Sequence, residues 1–390
     1  MRNVVVLATA QALSASGMMT MTLLGGIIGS GLAPMAELAT LPVSLTVLGL
    51  ALTTVPASLL VQRVGRRNAF VGSALLAAVA ALGVSYAIVQ GSFILLCLAA
   101  LVLGSNLAFQ QQHRFAAAES VAPQHVSRAV STVMIGTLVA AAFGPRVALH
   151  LKSLVGGHEY AGSFIGVAVL CLATALVLTQ YRPVPVTEPA GGGAARPLGE
   201  IVRQPLYIVA VLAAVVAYAG MSFIMTATPI SMHVHDRHSD VATAWVIQSH
   251  LLGMYAPALF SGALIGRIGS RAGMFAGLAL MFACVMIDAS GRDLMHYWWG
   301  LVLLGAGWNL LFVSGTVLLT TTYRPEERYR AQAVNEFAVF GTQALASLLA
   351  GPAIAVLGWR SLNLAAAAPM ALLTVLLVVG PSQRSRNSRT

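Results

Sequence analysis

Apolar residues in this chain run in long blocks rather than at alternating positions. Stretches of spanning length occupy about 4 to 31, 41 to 61, 68 to 89, 92 to 117, 129 to 151 and 160 to 181. The second half repeats the count near 205 to 230, 241 to 265, 272 to 289, 296 to 322, 331 to 356 and 361 to 380. A membrane-crossing helix needs about 20 mostly apolar residues, so the pattern predicts an all-α membrane protein with twelve transmembrane helices. An even number of crossings puts both termini on one side. Met1-Arg2-Asn3 before an apolar run, with Ala-Leu-Ser-Ala at 12 to 15, has the look of a secretory leader. That run continues to about Leu32, long enough to span, and reads as the first helix.

Composition agrees with lipid as the main solvent. Of 390 residues, 58% are hydrophobic and 9% charged, a balance foreign to water-soluble domains of this size. The net charge of +10 does not point to nucleic acid, because the basic residues are scattered singly and in pairs between apolar runs. Cys97, Cys171 and Cys284 lie inside apolar runs without metal-ligand spacing and read as packing residues; no metal or cofactor is expected.

Positively charged loops stay in the cytoplasm during insertion. With a cytoplasmic N-terminus, sixteen of the 22 basic residues fall inside and five outside, with Arg114 within a span. Both termini are therefore expected in the cytoplasm, in a bacterial inner membrane. The stretch from Tyr181 to Arg203 is rich in Pro and Gly and reads as a cytoplasmic linker. The expected division is a six-helix bundle over 1–181, a linker over 182–203, a second bundle over 204–380 and a disordered basic tail over 381–390.

Three features recur at nearly one offset, the mark of an internal duplication. Gln62-Arg63-Val64-Gly65-Arg66-Arg67 returns 204 positions later as Gly266-Arg267-Ile268-Gly269-Ser270-Arg271. Gly104-Ser105-Asn106-Leu107-Ala108-Phe109 returns 203 later as Gly307-Trp308-Asn309-Leu310-Leu311-Phe312, and Pro123 with Arg128-Ala129 returns 202 later as Pro325 with Arg330-Ala331. On these residues the chain resembles the major facilitator superfamily along essentially its full length. The family's loop pattern, G-x-L-x-D-R-x-G-R-R, stands here as Ser58 to Arg67, with Ser58 for the glycine and Gln62 for the acid, and again as Gly262 to Arg271. The resemblance implies two pseudo-symmetric six-helix bundles rocking about a central site. Arg63, Gly65, Arg66 and Arg67, with Gly262, Arg267, Gly269 and Arg271, would then hold one face closed; the alternative is that the arginines only set topology.

Polar side chains inside spans are costly unless they face a cavity or a partner. In the fourth span Asn106, Gln110, His113 and Arg114 fall on one helical arc of roughly 100° and are expected to line a solute path. Snorkelling of Arg114 is the alternative. Asn309 is the repeat counterpart of Asn106, and the two could face each other around a ligand or simply tie helices together. Gln11, Tyr218, Met225, Gln248 and Trp308 complete the candidate binding set, and Thr228-Pro229 could break the seventh span. The methionines of the first span, Met18, Met19 and Met21, read as packing rather than a soft-metal site. No acid lies in the middle of the first six spans, which leaves Glu336, His113 and His250 as candidates for proton coupling.

The stretches from Met225 to His233 and from Val246 to Gly262 are similar to a bacterial branch of the superfamily that includes riboflavin importers. An aromatic, nearly neutral solute suits a site rich in Asn, Gln, Tyr and Trp. The expected function is secondary active transport of a small organic solute by a monomer in contact with lipid, with protons as the candidate coupling ion. A proton-coupled multidrug or metabolite exporter and a non-transporting sensor or assembly factor are the alternatives. An enzyme is not expected, since no GxSxG, HExxH or Walker loop is present.

Overall fold

The computed structural model describes residues 2–122, 125–182 and 196–379. Pro123 of the repeat, most of the linker and the 381–390 tail lie outside them. Among the described residues the chain is helical throughout, without strands. Helices satisfy their own backbone groups, which an open sheet in lipid would not.

The first half comprises α1 (Arg2–Leu32), α2 (Leu41–Val64), α3 (Arg66–Val89), α4 (Phe93–Gln110), the short α5 (His113–Glu119), α6 (Val126–His150) and α7 (Ala161–Leu178). After the one-turn-and-a-half α8 (Leu198–Val202) the second half follows. It holds α9 (Pro205–Pro229), α10 (Asp240–Tyr255), α11 (Ala258–Ile268), α12 (Ser270–Ser290), α13 (Leu294–Thr320) and α14 (Arg328–Val379). Among the described residues, ten helical segments are long and apolar enough to cross a membrane, and eleven when α10 and α11 are taken as one span bent by 43°. The 52 residues of α14 are two helices meeting at Gly358, whose φ of 72° and ψ of 173° interrupt the helix.

Three spans depart in detail from the sequence expectation. The fourth loosens at Gln111-Gln112, where Gln112 N–H bonds back only to the Phe109 carbonyl, so α5 continues the span with a tightened turn. The eighth is broken at Ala256-Pro257, where a proline lacks the N–H that would carry the helix on. In the seventh, Pro229 is the last helical residue rather than a mid-span break, and the chain loosens into a π turn over Ile230–His235.

In the first bundle α1 packs on α6 and α7, α2 on α4, and α3 on α4 and α7. In the second, α9 packs on α14 and α13, α10 on α13, and α12 on α13 and α14. The duplication is visible in the crossings. Gly49 of α2 lies against the α4 backbone at Leu101, and Gly253 of α10, 204 positions later, lies against the α13 backbone, where an added Cβ would sit 2.9 Å from the Val302 oxygen. Any side chain at either position would push the helix pair apart.

The bundles meet through α2 with α14, α6 with α10, and α1 with α9. We call the end holding Arg2 and the turns at Gly65 and Gly269 the basic end. The other, holding the turns at 33–40, 151–160 and 230–239, is the opposite end.

Candidate functional site

The loop motif at the basic end has the same backbone in both halves. Gly65 (φ 79°, ψ 156°) and Gly269 (φ 84°, ψ 154°) sit in the left-handed region that favours glycine, joining α2 to α3 and α11 to α12. Arg66 donates from Nη2 alone to both carboxylate oxygens of Glu119 at 2.7 and 2.8 Å, and Arg271 donates to the Leu377 carbonyl. These contacts stay within their own bundles. Arg63, Arg67, Gly262 and Arg267 are exposed.

The polar stripe of the fourth span divides into two groups. Asn106 donates to Ser14 Oγ and accepts from Ser73 Oγ, both at 3.0 Å, so its amide is spent tying α4 to α1 and α3. His113 donates through Nδ1 to Gln11 Oε1 at 2.8 Å and stands edge-on to Phe70. Gln11 in turn donates to Thr137 Oγ1 at 3.1 Å. These three expected solute contacts are thus satisfied inside the first bundle, Asn106 in one set of bonds and His113 with Gln11 in another. Asn309 donates to the Met254 carbonyl at 2.8 Å, tying α13 to α10 inside the second bundle, as the helix-tying alternative has it.

Gln110 and Arg114 form the second group. Gln110 lines a small cleft with Ser14, Met18, Asn106, Val167 and Cys171. Arg114 lies over the Phe115 ring, 4.9 Å from its centroid, and its Nε is covered without a hydrogen-bond partner. Its charge acts through space on Tyr218 of α9 and Glu336 of α14, so it looks across to the other bundle.

Facing it from the second bundle is an aromatic cluster. Tyr218 makes edge contacts with Trp308, Phe312 and Phe340 at centroid distances of 5.1, 5.1 and 5.7 Å, and Trp308 stacks on Phe312 at 5.3 Å. Tyr255 completes it, 6.2 Å from Trp308. On α13 and α14, the helices that carry Trp308, Phe312 and Phe340, several buried polar atoms have no protein partner: Trp308 Nε1, Asn309 Oδ1, Asn335 Oδ1 and Gln343 Oε1. A buried donor or acceptor left unpaired costs about 1 to 3 kcal/mol, so each of these atoms favours a partner.

At the opposite end the bundles are fastened. Ser44 of α2 bonds to the Ser347 carbonyl of α14, Ser347 Oγ lies 3.1 Å from Thr226 Oγ1 of α9, and Gln248 of α10 donates to the Ala142 carbonyl of α6 at 2.7 Å. Gln248, expected at the solute, is thus an inter-bundle tie. Lys152 bridges Asp240 at 2.7 Å and Glu159 at 2.8 Å, and Tyr160 donates to Asp240 at 3.0 Å. The hydrogen bond to Asp240, followed by that to Glu159, holds the Lys152 ammonium above the usual lysine range, against the opposing effect of burial.

Of the remaining candidates, Met225 is a half-buried core contact, and His250 is fully buried with Nδ1 donating to the Leu301 carbonyl at 2.7 Å. The sequence reading passed over Asp288, a buried acid in α12 whose contact is the Cys284 thiol at 3.5 Å. It also passed over Ser44 and Ser347, because small hydroxyl residues in spans usually bond their own helix, as most do here.

Known proteins share this architecture. The Major Facilitator Superfamily profile matches residues 6–230 and 210–390. The riboflavin transporter RfnT of Brucella anthropi is 40% identical over 380 residues, covering 97% of this chain and 95% of that protein. An uncharacterised transporter of the superfamily from Bacillus subtilis, YdeG, is 27% identical over 93% of this chain and 88% of its own. Among solved structures, an inward-facing bacterial homologue of the human lysosomal transporter Spinster superposes with a TM-score of 0.72 at 14% identity, covering 96% of this chain and 95% of that one. An outward-facing bacterial homologue of the iron transporter ferroportin gives 0.65 at 16% identity, with coverage of 97% and 99%. The likeness to these structures is one of fold, whereas the profile and the first relative span nearly the whole sequence: the chain belongs to the Major Facilitator Superfamily and is a multi-pass membrane transporter of a small-molecule solute.

Proposed function

We propose that this transporter imports riboflavin or a closely similar flat heteroaromatic compound across a bacterial inner membrane. The observation that carries the reading is the aromatic cluster of Tyr218, Trp308, Phe312 and Phe340 with unpaired hydrogen-bonding atoms on α13 and α14. An aromatic wall takes the face of a planar ring, and the unpaired groups take its polar edge. The 40% identity to a protein named a riboflavin transporter supports the same solute.

Tyr218, Trp308, Gln343 and Asn335 then bind the solute from the second bundle, and Gln110 and Arg114 from the first. Asn106, Gln11 and His113 stay structural. Transport is by alternating access, the bundles of 1–181 and 204–380 rocking about this site while the linker over 182–203 tethers them. Twelve spans follow when the bent α10–α11 pair is one crossing and the arms of α14 on either side of Gly358 are two.

With both termini in the cytoplasm, as the basic loops favour, the fastened opposite end faces out and the state is inward-facing. Glu336 carries the coupling proton: it lies within electrostatic reach of Arg114 and, among the described residues, forms no ion pair. The transporter works as a monomer. The reading is tested by uptake of labelled riboflavin in a riboflavin-auxotrophic bacterium: growth on low riboflavin with saturable uptake supports it, and uptake equal to the empty vector contradicts it. Reporters fused after Tyr181 and after Thr390 should both read cytoplasm.

A further inference from the structure

Taking the gap between the bundles as the solute site, we propose that the side-chain amide of Gln343 reads an imide edge on the solute, an N–H flanked by carbonyls, while the aromatic cluster holds the ring. Gln343 lies on the stripe of α14 formed by Glu336, Val339, Phe340, Gln343 and Ser347, which at ~100° per residue fall within an arc of about 100°. The stripe is oriented by its contacts. Ser347 bonds to Ser44 of the other bundle, and Val339 and Phe340 share one buried apolar cluster with Leu7, Leu50 and Phe109 of the other bundle. Gln343, between them, faces the same gap, one turn from Ser347 and three residues from Phe340, the ring that touches Tyr218.

Gln343 is 9% exposed, and its Oε1 is fully covered with no partner. A primary amide places an acceptor and a donor side by side in one plane. An ammonium would satisfy Oε1 and oppose the amide N–H; a carboxylate would do the reverse. An imide satisfies both at once, its N–H to Oε1 and a neighbouring carbonyl to Nε2. Because a carbonyl stands on each side of the imide N–H, the pair forms with the ring in either of two orientations. Methylating the imide nitrogen removes the donor and places a methyl group against a buried acceptor. A site built to bond a substrate N–H rejects analogues that lack it far more strongly than a merely apolar pocket does.

The test is a binding titration of the purified full-length protein, read by quenching of flavin fluorescence, with riboflavin, riboflavin methylated on the imide nitrogen, and lumichrome, which keeps the imide and lacks the sugar-alcohol chain. The parent protein is expected to bind the methylated compound at least ~10-fold more weakly than riboflavin, the worth of about one hydrogen bond. Gln343→Leu should bind both with similar, reduced affinity, and its melting temperature should match or exceed the parent's because a buried unpaired acceptor has gone. Gln343→Asn, which keeps the amide on a shorter arm, should restore part of the discrimination. Equal binding of the two flavins by the parent, or discrimination that survives in Gln343→Leu, overturns the role of Gln343 and leaves riboflavin transport standing. Gln343-dependent binding of lumichrome without riboflavin binding keeps the imide contact and removes riboflavin as the cargo. Binding of none of the three overturns both.

Discussion

Ser44 of α2 donates to the backbone carbonyl of Ser347 on α14 at 2.7 Å and accepts from the Ser347 hydroxyl at 3.0 Å. Both residues are fully buried, and the pair joins one bundle to the other about a turn from the unpaired Gln343.

Removing this pair should loosen the fastened end. Spin labels at the exposed positions 154 and 241, one on each bundle at the opposite end, report its width. Ser44→Ala should raise the long-distance population several-fold, since a hydrogen bond of about 1 kcal/mol shifts a two-state balance roughly fivefold. An unchanged distance distribution would mean the serines do not hold the bundles together.

The Lys152–Asp240 bridge should make the same distance depend on pH at the alkaline side. A lysine held above its ordinary value stabilises the fastened form fully below about 10.4, and that contribution fades as pH climbs through the higher bound-state value. The end should stay fastened from pH 6 to 9 and open above ~10.5. Lys152→Met should abolish that pH response; its persistence in the variant would assign it to another group.

Asn106 and Trp308, both expected at the solute from the sequence, should respond oppositely. Asn106→Leu breaks two inter-helix hydrogen bonds worth about 0.6 kcal/mol each on average in membranes, so it should lower the melting temperature and leave solute affinity unchanged. Trp308→Ala should reduce affinity on the order of 10-fold or more, because it removes a wall of the aromatic cluster. A tenfold affinity loss in Asn106→Leu would return that residue to the site.

Much of the fold could be read from the apolar blocks, because lipid imposes length and continuity on every crossing. The basic loops and the 204-residue repeat also survive as structure, in the paired left-handed turns at Gly65 and Gly269. The site was legible only in part. A polar residue in a span announces that it has a partner or a cavity, but not which: Gln11 and His113 bond to each other, and Asn106 bonds to Ser14 and Ser73. Gln343 and Asn335 look no different in sequence, and their lack of partners shows only once the helices are assembled. The break at Ala256-Pro257 was hidden by an apolar run that continues across it, and the equivalent place in the unbroken α2, at the 204-residue offset, is Thr53.

Away from the membrane centre, Arg196 and Glu327 fix the return of the linker to the α13–α14 turn through paired bonds at 2.7 and 2.8 Å. The Arg196 hydrogen bonds hold the Glu327 carboxyl well below its usual range, against burial. A depressed carboxylate contributes stability above its unfolded value of about 4.3 and loses it as pH falls through the native value. Glu327→Gln should therefore melt lower than the parent at pH 7, with the gap narrowing below about pH 4. A gap that is constant from pH 7 to 3 would show that the charge is not the stabilising feature.

Glu336 and Arg114 should separate coupling from binding. Glu336→Gln should abolish uphill accumulation driven by a pH gradient while leaving solute exchange intact, because a neutral side chain cannot carry the proton. Arg114→Ala should slow both strongly, and Arg114→Lys should recover only part, since lysine keeps the charge but loses the planar donor fork. Full pH-driven accumulation by Glu336→Gln would move the proton to another group.

The central claim is that this chain moves a flavin through the gap between its bundles, and counterflow in proteoliposomes tests it most directly. Vesicles loaded with unlabelled riboflavin and diluted into labelled riboflavin should accumulate label transiently, with the overshoot absent from empty vesicles and strongly reduced by Trp308→Ala. Folded, reconstituted parent protein that gives no overshoot with riboflavin would contradict the account.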